Sequence, residues 1–139
     1  METIVILTDE RYTNPSEGDW YSAQIYWEER LVQEALAARG FAAPRVAWSD
    51  ANYDWRKATA AIFRSTWDYF HRFAEFSAWL DRAEQQTRLF NSARLVRWNA
   101  DKHYLADLER AGVEIPATLF FELRSEATLA EQIAQGGWE

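Results

Sequence analysis

The chain has 139 residues, a formal net charge of −7, no cysteine and 8 tryptophans. With 48% apolar residues it is long enough for one well-packed domain and is not a disordered composition. The acidic balance argues against nucleic-acid binding, and the lack of cysteine excludes disulfides and thiolate metal sites. No apolar run reaches membrane-spanning length and no signal peptide is recognisable. We therefore expect a cytoplasmic protein without a membrane partner.

Residues 3–8 are a β-branched, apolar run, typical of a buried strand in a parallel sheet. Asp9 follows at the strand's carboxyl end, where it either points into a cleft or starts a turn. A long helix is predicted next, capped by Asp19 and ended by Gly40. Gln24 and Glu28 lie at the edge of its apolar stripe and are expected to be solvated. The predicted buried stripe contains Trp20, Ala23, Trp27, Leu31, Ala35 and Ala38, and it is widened by Ile25, Val32 and Leu36.

Further strands and helices alternate along the rest of the chain. Strands are predicted at residues 44–48, 58–63, 88–90 and 117–121. Helices are predicted at 73–86, at 92–98, from a cap at Asn99 to Gly112, and from a cap at Ser125 to residue 135. This alternation favours a three-layer α/β fold, with a mostly parallel, Rossmann-like sheet and helices on both of its faces.

A polar and aromatic cluster follows the strand at 58–63. It consists of Arg64, Ser65, Thr66, Trp67, Asp68 and Tyr69. Ligands bind at the carboxyl ends of parallel strands, and a guanidinium holds a carboxylate or phosphate with two hydrogen bonds. The cluster is therefore a candidate binding site. The alternative is a connecting loop held by an ion pair between Arg64 and Asp68, with Trp67 in the core.

Lys102 has an unusual position if Asn99 caps its helix. The helix dipole opposes a cation in the first turn, at a cost of about 0.3–1 kcal/mol. Free backbone N–H groups at that position favour an anion, so the lysine could hold a phosphate there. The alternative is that Asp101 neutralises the lysine at an exposed position.

Residues 96–105, followed by Gly112 and Pro116, resemble the ATP-grasp superfamily, many of whose members carry an Asp-Lys pair at the start of a helix. The pair here is Asp101-Lys102. The string at 64–69, together with Asn91-Ser92, is similar to the glutathione-synthetase-like branch that includes cycloserine-forming ligases. The resemblance extends from about residue 4 to residue 121.

The resemblance implies a pre-ATP-grasp domain at residues 1–121 and the start of a linker into an ATP-grasp domain at 122–139. Such a parent protein activates a carboxylate as an acyl phosphate with ATP and Mg²⁺, before an amine or thiol attacks. Lys102 would then contact the ATP phosphates, and no metal ligand is expected in this stretch. The residues implied in binding the small carboxylate or amine substrate are Asp9, Arg64, Ser65, Thr66 and Asp68.

Two interpretations of the whole chain remain open. The first is an inactive fragment of such a ligase, which does not bind ATP or Mg²⁺ tightly by itself. The turn signal at Gly136-Gly137, close to the last residue, favours this interpretation, because another strand is expected to follow. The second is a stand-alone α/β module that binds a small molecule or a protein without catalysis. In the first case, the fragment would expose an aromatic domain interface, and such a patch would favour a homodimer of the isolated chain.

Overall fold

A computed structural model of the protein describes residues 1–14, 18–121 and 127–137. Its internal contacts divide the chain into two units, Met1–Arg97 and Trp98–Glu139. The predicted domain boundary at 121/122 lies beside residues outside the described ranges and stays a prediction. Within the described ranges, none of the helices combines the length and apolar character needed to span a membrane.

The first unit is built on a four-stranded parallel sheet with the strand order β2-β1-β3-β4. The strands are β1 (Ile4–Thr8), β2 (Arg45–Ala47), β3 (Ala60–Ser65) and β4 (Arg88–Phe90). After β2 the chain crosses to the other side of β1, so the direction of strand addition reverses between β1 and β3. In open α/β sheets such a reversal leaves a crevice at the carboxyl ends of the two strands.

Helices connect these strands. The first unit contains α1 (Trp20–Ala37) and α2 (Phe73–Ala83), together with short 3₁₀ helices at Glu10–Tyr12 and Trp55–Lys57, and α3 (Ala93–Asn99) runs across its boundary with the second unit. Because crossovers between parallel strands are right-handed and those of α1 and α2 run in opposite directions, the two helices cover opposite faces of the sheet. The α/β prediction is therefore confirmed.

The main core lies between the sheet and α2 and is rich in tryptophan. Trp48 packs edge-on against Phe76 with ring centroids 5.2 Å apart, and Trp55 packs against Trp79 at 5.4 Å. Helical spacing predicts a buried face of α2 made of Phe73, Phe76, Trp79, Leu80 and Ala83. All of these side chains are buried except Phe73, which is 50% exposed. Edge-to-face contacts of this kind add to the free energy gained by burying the rings.

The predicted ends of α1 are confirmed. The Asp19 carboxylate accepts hydrogen bonds from the backbone N–H groups of Tyr21 (3.1 Å) and Ser22 (3.2 Å), which the first helical turn leaves without partners. Gly40, three residues beyond the helix, has a φ of +84°, a conformation that side-chain-bearing residues rarely adopt.

The predicted buried stripe of α1 is wrong at its centre and right at its widened edge, where Ile25 is buried and Val32 and Leu36 are half-buried. Trp20, Trp27 and Leu31 are 72%, 58% and 63% exposed. The side chains that α1 buries are those of Ser22, Ile25 and Glu29, on the opposite face. Glu29 is buried because Arg45 of β2 pairs with it at 2.6 Å, and a buried charge with a partner overrides the apolar pattern.

The second unit corrects three sequence-based predictions. Residues 113–121 form no strand, because no described neighbour pairs with their backbone, and a strand needs a hydrogen-bonded partner. Asn99 ends α3 instead of capping a helix, and α4 (Tyr104–Arg110) begins after His103. Asp101 causes the break between these helices, since its carboxylate accepts from the His103 backbone N–H at 2.8 Å and forms a local turn.

The last helix, α5 (Leu129–Gln135), begins at a different cap from the one predicted. Thr128 caps it, and Glu131 bonds back to the Thr128 backbone N–H at 2.7 Å to complete a capping box. The predicted cap, Ser125, lies outside the described residues.

Candidate functional site

The carboxyl ends of β1 and β3 meet at one edge of the sheet. Thr8 lies opposite Ser65, and the Asp9 backbone N–H donates to the Ser65 carbonyl at 2.9 Å. The ladder is irregular between Leu7 and Thr8, directly before this point. The structure thus brings the predicted site residues Asp9, Ser65 and Thr66 together, and all three are buried.

The buried Asp9 carboxylate bonds to Arg11, and its predicted contact with a substrate stays a prediction. Its Oδ1 accepts from the Arg11 backbone N–H (2.9 Å) and from Arg11 Nε (3.1 Å), while Oδ2 accepts from an Arg11 terminal nitrogen at 2.7 Å. The carboxylate is fully buried, whereas the Arg11 side chain is 58% exposed. The hydrogen bonds that the Arg11 side chain donates to Asp9 raise the pKa of Arg11 above its ordinary value.

Arg11 is therefore a candidate site residue that the sequence analysis did not single out. The available signal was the Asp9-Glu10-Arg11 spacing at the end of a predicted strand, since an aspartate often bonds to groups two residues later in a turn. Asp9 acts through Arg11 by fixing the position of its guanidinium.

Arg64 and Asp68 do not pair with each other. Arg64 pairs with Glu28 of α1. The Asp68 carboxylate accepts from Trp48 Nε1 at 2.6 Å and from Arg72 Nη1 at 3.1 Å. The loop alternative, which required an Arg64–Asp68 pair, is therefore wrong on this point. Asp68 is instead anchored to the core tryptophan and to the turn before α2.

Trp67 lies outside the core and belongs to an aromatic wall beside the strand ends. The wall consists of Tyr12, Tyr21 and Trp67, with Trp67 ring centroids 5.8 Å from Tyr12 and 6.5 Å from Tyr21. Trp67 is 44% exposed. Burial raises the pKa of Tyr12, so its hydroxyl stays neutral at physiological pH. The wall offers apolar contact next to charged groups.

The charges at this edge alternate in sign. Asp68 bonds to Arg72 and also contributes to raising the pKa of Arg11, so it is close enough to interact with both cations. Arg64 adds a further guanidinium from the end of β3. Each guanidinium already has a carboxylate partner, Asp9 for Arg11, Glu28 for Arg64, and Asp68 with Glu75 for Arg72. A ligand that carries a carboxylate and an amine could exchange with the exposed members of these pairs. We call Arg11, Arg64, Asp68 and Arg72 the strand-end cluster.

Thr8 contributes another unusual feature at this edge. Its hydroxyl is buried, and within the described ranges it has no hydrogen-bond partner. A buried hydroxyl without a hydrogen-bond partner makes the folded state less stable than one that bonds to a ligand or an ordered water. This unsatisfied hydroxyl lies between β1 and β3, the strand pair at which the direction of strand addition reverses.

A cleft of about 530 Å³ opens beside the end of β2. Its lining is mostly polar and includes Glu10, Thr13, Asn14, Arg45, Asp50 and Asn52. The lining contains none of Asp9, Arg64 and Asp68, so the sequence analysis missed this cleft. Its residues come from separate loops, which only the folded sheet brings together.

Lys102 belongs to the second unit. It is exposed in the turn before α4 and therefore does not lie in the first turn of a helix, as the sequence analysis expected. Its Nζ lies 5.7 Å from the centroid of the Tyr104 ring. The Asp101 carboxylate contacts His103 Nδ1 at 2.5 Å. Among the described residues, no cluster of three or more carboxylate or histidine side chains could hold a metal ion.

Comparison with known proteins identifies the first unit. Residues 4–91 match a sequence family described as the N-terminal domain of the D-cycloserine synthetase DcsG. The chain belongs to this family. The matched region contains all four strands and the strand-end cluster, but it ends before Lys102. An ATP-grasp-related N-terminal domain is thus supported, while the glutathione-synthetase-like branch stays a prediction.

Two individual relatives agree with this assignment. The chain is 38% identical over 112 residues to the cycloserine biosynthesis protein DcsG of Streptomyces lavendulae, which covers 81% of this chain and 38% of that protein. It is also similar to the crystal structure of D-cycloserine synthetase DcsG, with a TM-score of 0.67 and 34% identity over 81% of this chain and 35% of the other. The chain thus spans little more than a third of the length of these relatives.

Proposed function

We propose that the chain is the N-terminal, substrate-binding domain of an ATP-dependent ligase that joins a carboxylate to an amine or a thiol. The family match over residues 4–91 carries this proposal. The position of the strand-end cluster, where the sheet reverses direction, supports it independently. The relative of similar sequence is a cycloserine biosynthesis protein, so a small, amino-acid-like substrate is the first class to test.

The strand-end cluster would bind and orient this substrate. Arg11, whose Nε and one terminal nitrogen bond to Asp9, keeps its other terminal nitrogen for a substrate carboxylate. Arg64 would exchange its exposed partner Glu28 for the same ligand. Asp68, held by Trp48 and Arg72, would accept a hydrogen bond from the substrate amine.

The proposed reaction passes through an acyl phosphate formed from ATP. Negative charge builds up on the transferred phosphoryl group, and cations stabilise it. Lys102 is proposed to contact the ATP phosphates. The described residues provide no cluster suited to Mg²⁺, so we derive no step through that ion here.

The test uses the full-length gene product and ADP release with a panel of D- and L-amino acids and small carboxylates. We expect Arg11→Lys and Arg64→Lys each to raise KM for the carboxylate substrate by about 10-fold or more, because lysine lacks the guanidinium that makes the charge-assisted hydrogen bond to that carboxylate, while KM for ATP stays constant. Lys102→Met is expected to raise KM for ATP instead. Arg56→Lys is the matched control, because Arg56 pairs with Asp54 away from the strand ends.

Three outcomes of the ADP-release test would contradict parts of the proposed function. A full-length protein that releases no ADP with any member of the panel would favour the non-catalytic binding module. Unchanged nucleotide affinity and turnover in Lys102→Met would exclude that lysine from the ATP site. A rise in KM for ATP in Arg11→Lys would contradict the assignment of the strand-end cluster to the carboxylate substrate.

A further inference from the structure

The outer face of α1 is an apolar stripe that stays largely exposed, with only Arg30 over the Trp27 ring and Tyr21 beside Trp20 among the described contacts. At about 100° per residue, positions 20, 27, 31 and 38 fall within about 20° of one line, on the side opposite Glu29. Trp20, Trp27 and Leu31 on this line are all more than half exposed. We call residues 20, 27, 31, 35 and 38 the outer stripe. Tryptophan is among the residue types enriched in protein interfaces, and this helix face carries two exposed tryptophans.

Side-chain size changes along the outer stripe. Its amino-terminal half carries Trp27 and Leu31, and its carboxyl-terminal half carries only Ala35 and Ala38. In a parallel pair of helices the two indoles would meet at the same height and leave gaps between the alanines. In an antiparallel pair centred near Val32, the Trp27 of each copy lies over the partner's Ala35 and Ala38, while Trp20 lies beyond the end of the partner's helix at Ala37. The size gradient therefore favours a second copy in antiparallel orientation.

The charges beside the outer stripe fit the same arrangement. In an antiparallel pair, each flank of one helix faces the same flank of its partner. Arg30 and Glu34 share one flank, and a two-fold axis near residue 32 places Arg30 level with the partner's Glu34. Glu28 and Arg39 share the other flank and come within about one helical turn of each other across the axis. Opposite charges thus meet on both flanks.

We propose that two copies of this chain associate through antiparallel α1 helices, with the outer stripe buried and the Arg30–Glu34 pairs exchanged between copies. The interface is isologous, so each contact occurs twice. The tested contacts, those of Trp27, Arg30 and Glu34, belong to neither the strand-end cluster nor the cleft, so the proposal can fail or hold separately from the ligase function.

The test is sedimentation velocity on the chain at up to ~100 µM, where mass action favours a dimer of modest affinity. Arg30→Glu and Glu34→Arg are expected to be monomeric alone, because each places like charges across the axis. An equimolar mixture of the two variants is expected to form a heterodimer, since opposite charges then meet between copies. The Arg30–Glu34 pair within each chain stays broken in the mixture, so recovery of the dimer can come only from contacts between the two copies.

Two further variants complete the test. Trp27→Ala is expected to weaken dimerisation by about 10-fold or more, as for a central interface tryptophan. Arg56→Glu, on an exposed arginine outside α1, is the matched control and is expected to dimerise as the parent does. A parent chain that stays monomeric at the highest concentration overturns the proposal, as does a variant mixture that stays monomeric while both variants are folded by circular dichroism.

Discussion

The Glu29–Arg45 ion pair determines which face of α1 meets the sheet. Glu29 is fully buried, and Arg45 also donates to the carbonyl of Thr13 at 3.1 Å. Arg45 further lies 4.7 Å from the centroid of the Tyr26 ring. Sequence patterns cannot predict this pair, because a glutamate on a helix normally marks the solvated face and its partner is 16 residues away.

Glu29→Ala is expected to lower the free energy of unfolding by about 3–5 kcal/mol, because the Arg45 charge stays buried without its partner. Urea denaturation followed by tryptophan fluorescence measures this change. Glu34→Ala is the control, because its exposed pair with Arg30 is worth less than about 1 kcal/mol. Equal losses in the two variants would show that Glu29 is not buried in solution.

The buried face of α2 could be predicted from the sequence, and the buried face of α1 could not. Strand positions and the apolar face of α2 follow from short apolar runs and helical spacing. The orientation of α1 does not, because its largest apolar residues face outward. In the candidate site, Asp9, Ser65 and Thr66 were predictable as strand ends, but pairings between residues 20 or 36 positions apart depend on the folded sheet.

Truncating one leucine on each helix tests these orientations. Leu80→Ala on α2 is expected to lower the free energy of unfolding by about 2–5 kcal/mol, because it leaves a cavity in the main core. Leu31→Ala on α1 is expected to change it by about 0.5 kcal/mol or less in the monomer, because that side chain is solvated. Urea midpoints at low protein concentration provide the comparison, and a larger loss for Leu31→Ala would reverse the assigned face.

The cap of α1 predicts a pH dependence. Hydrogen bonds from the Ser22 hydroxyl and backbone N–H lower the pKa of Asp19 below its ordinary value of 3.8. The folded state therefore favours the ionised carboxylate, so this contribution to stability is complete above the ordinary value and is lost as pH falls through the lowered one. We expect the stability advantage over Asp19→Asn to shrink between pH 5 and pH 2. A constant difference over this range would contradict the assignment.

At the scale of the molecule, the two units differ in how much they bury. The sheet of the first unit contains fully buried residues such as Val5, Leu7 and Ala61. In the second unit, every side chain whose exposure is described is at least partly accessible, including all of α4. Stability against local opening follows burial.

Hydrogen exchange monitored by NMR is therefore expected to separate the units. Amides of β1 and β3 are predicted to exchange last, with protection that approaches the global free energy of unfolding, and amides of α4 are predicted to exchange at least about 100-fold faster. The helix α2 provides an internal reference, since it is helical like α4 but packed on the core. Equal protection in α2 and α4 would contradict this prediction.

The two outer strands of the sheet, β2 and β4, are only three residues long. An outer strand of that length leaves few free backbone groups for a strand of another molecule to pair with. Strand addition, the route by which exposed sheets extend into fibrils, therefore gains little here. Exposed tryptophan on α1 therefore does not make the sheet prone to polymerise. Contacts with other proteins are expected to use side chains and not strand pairing.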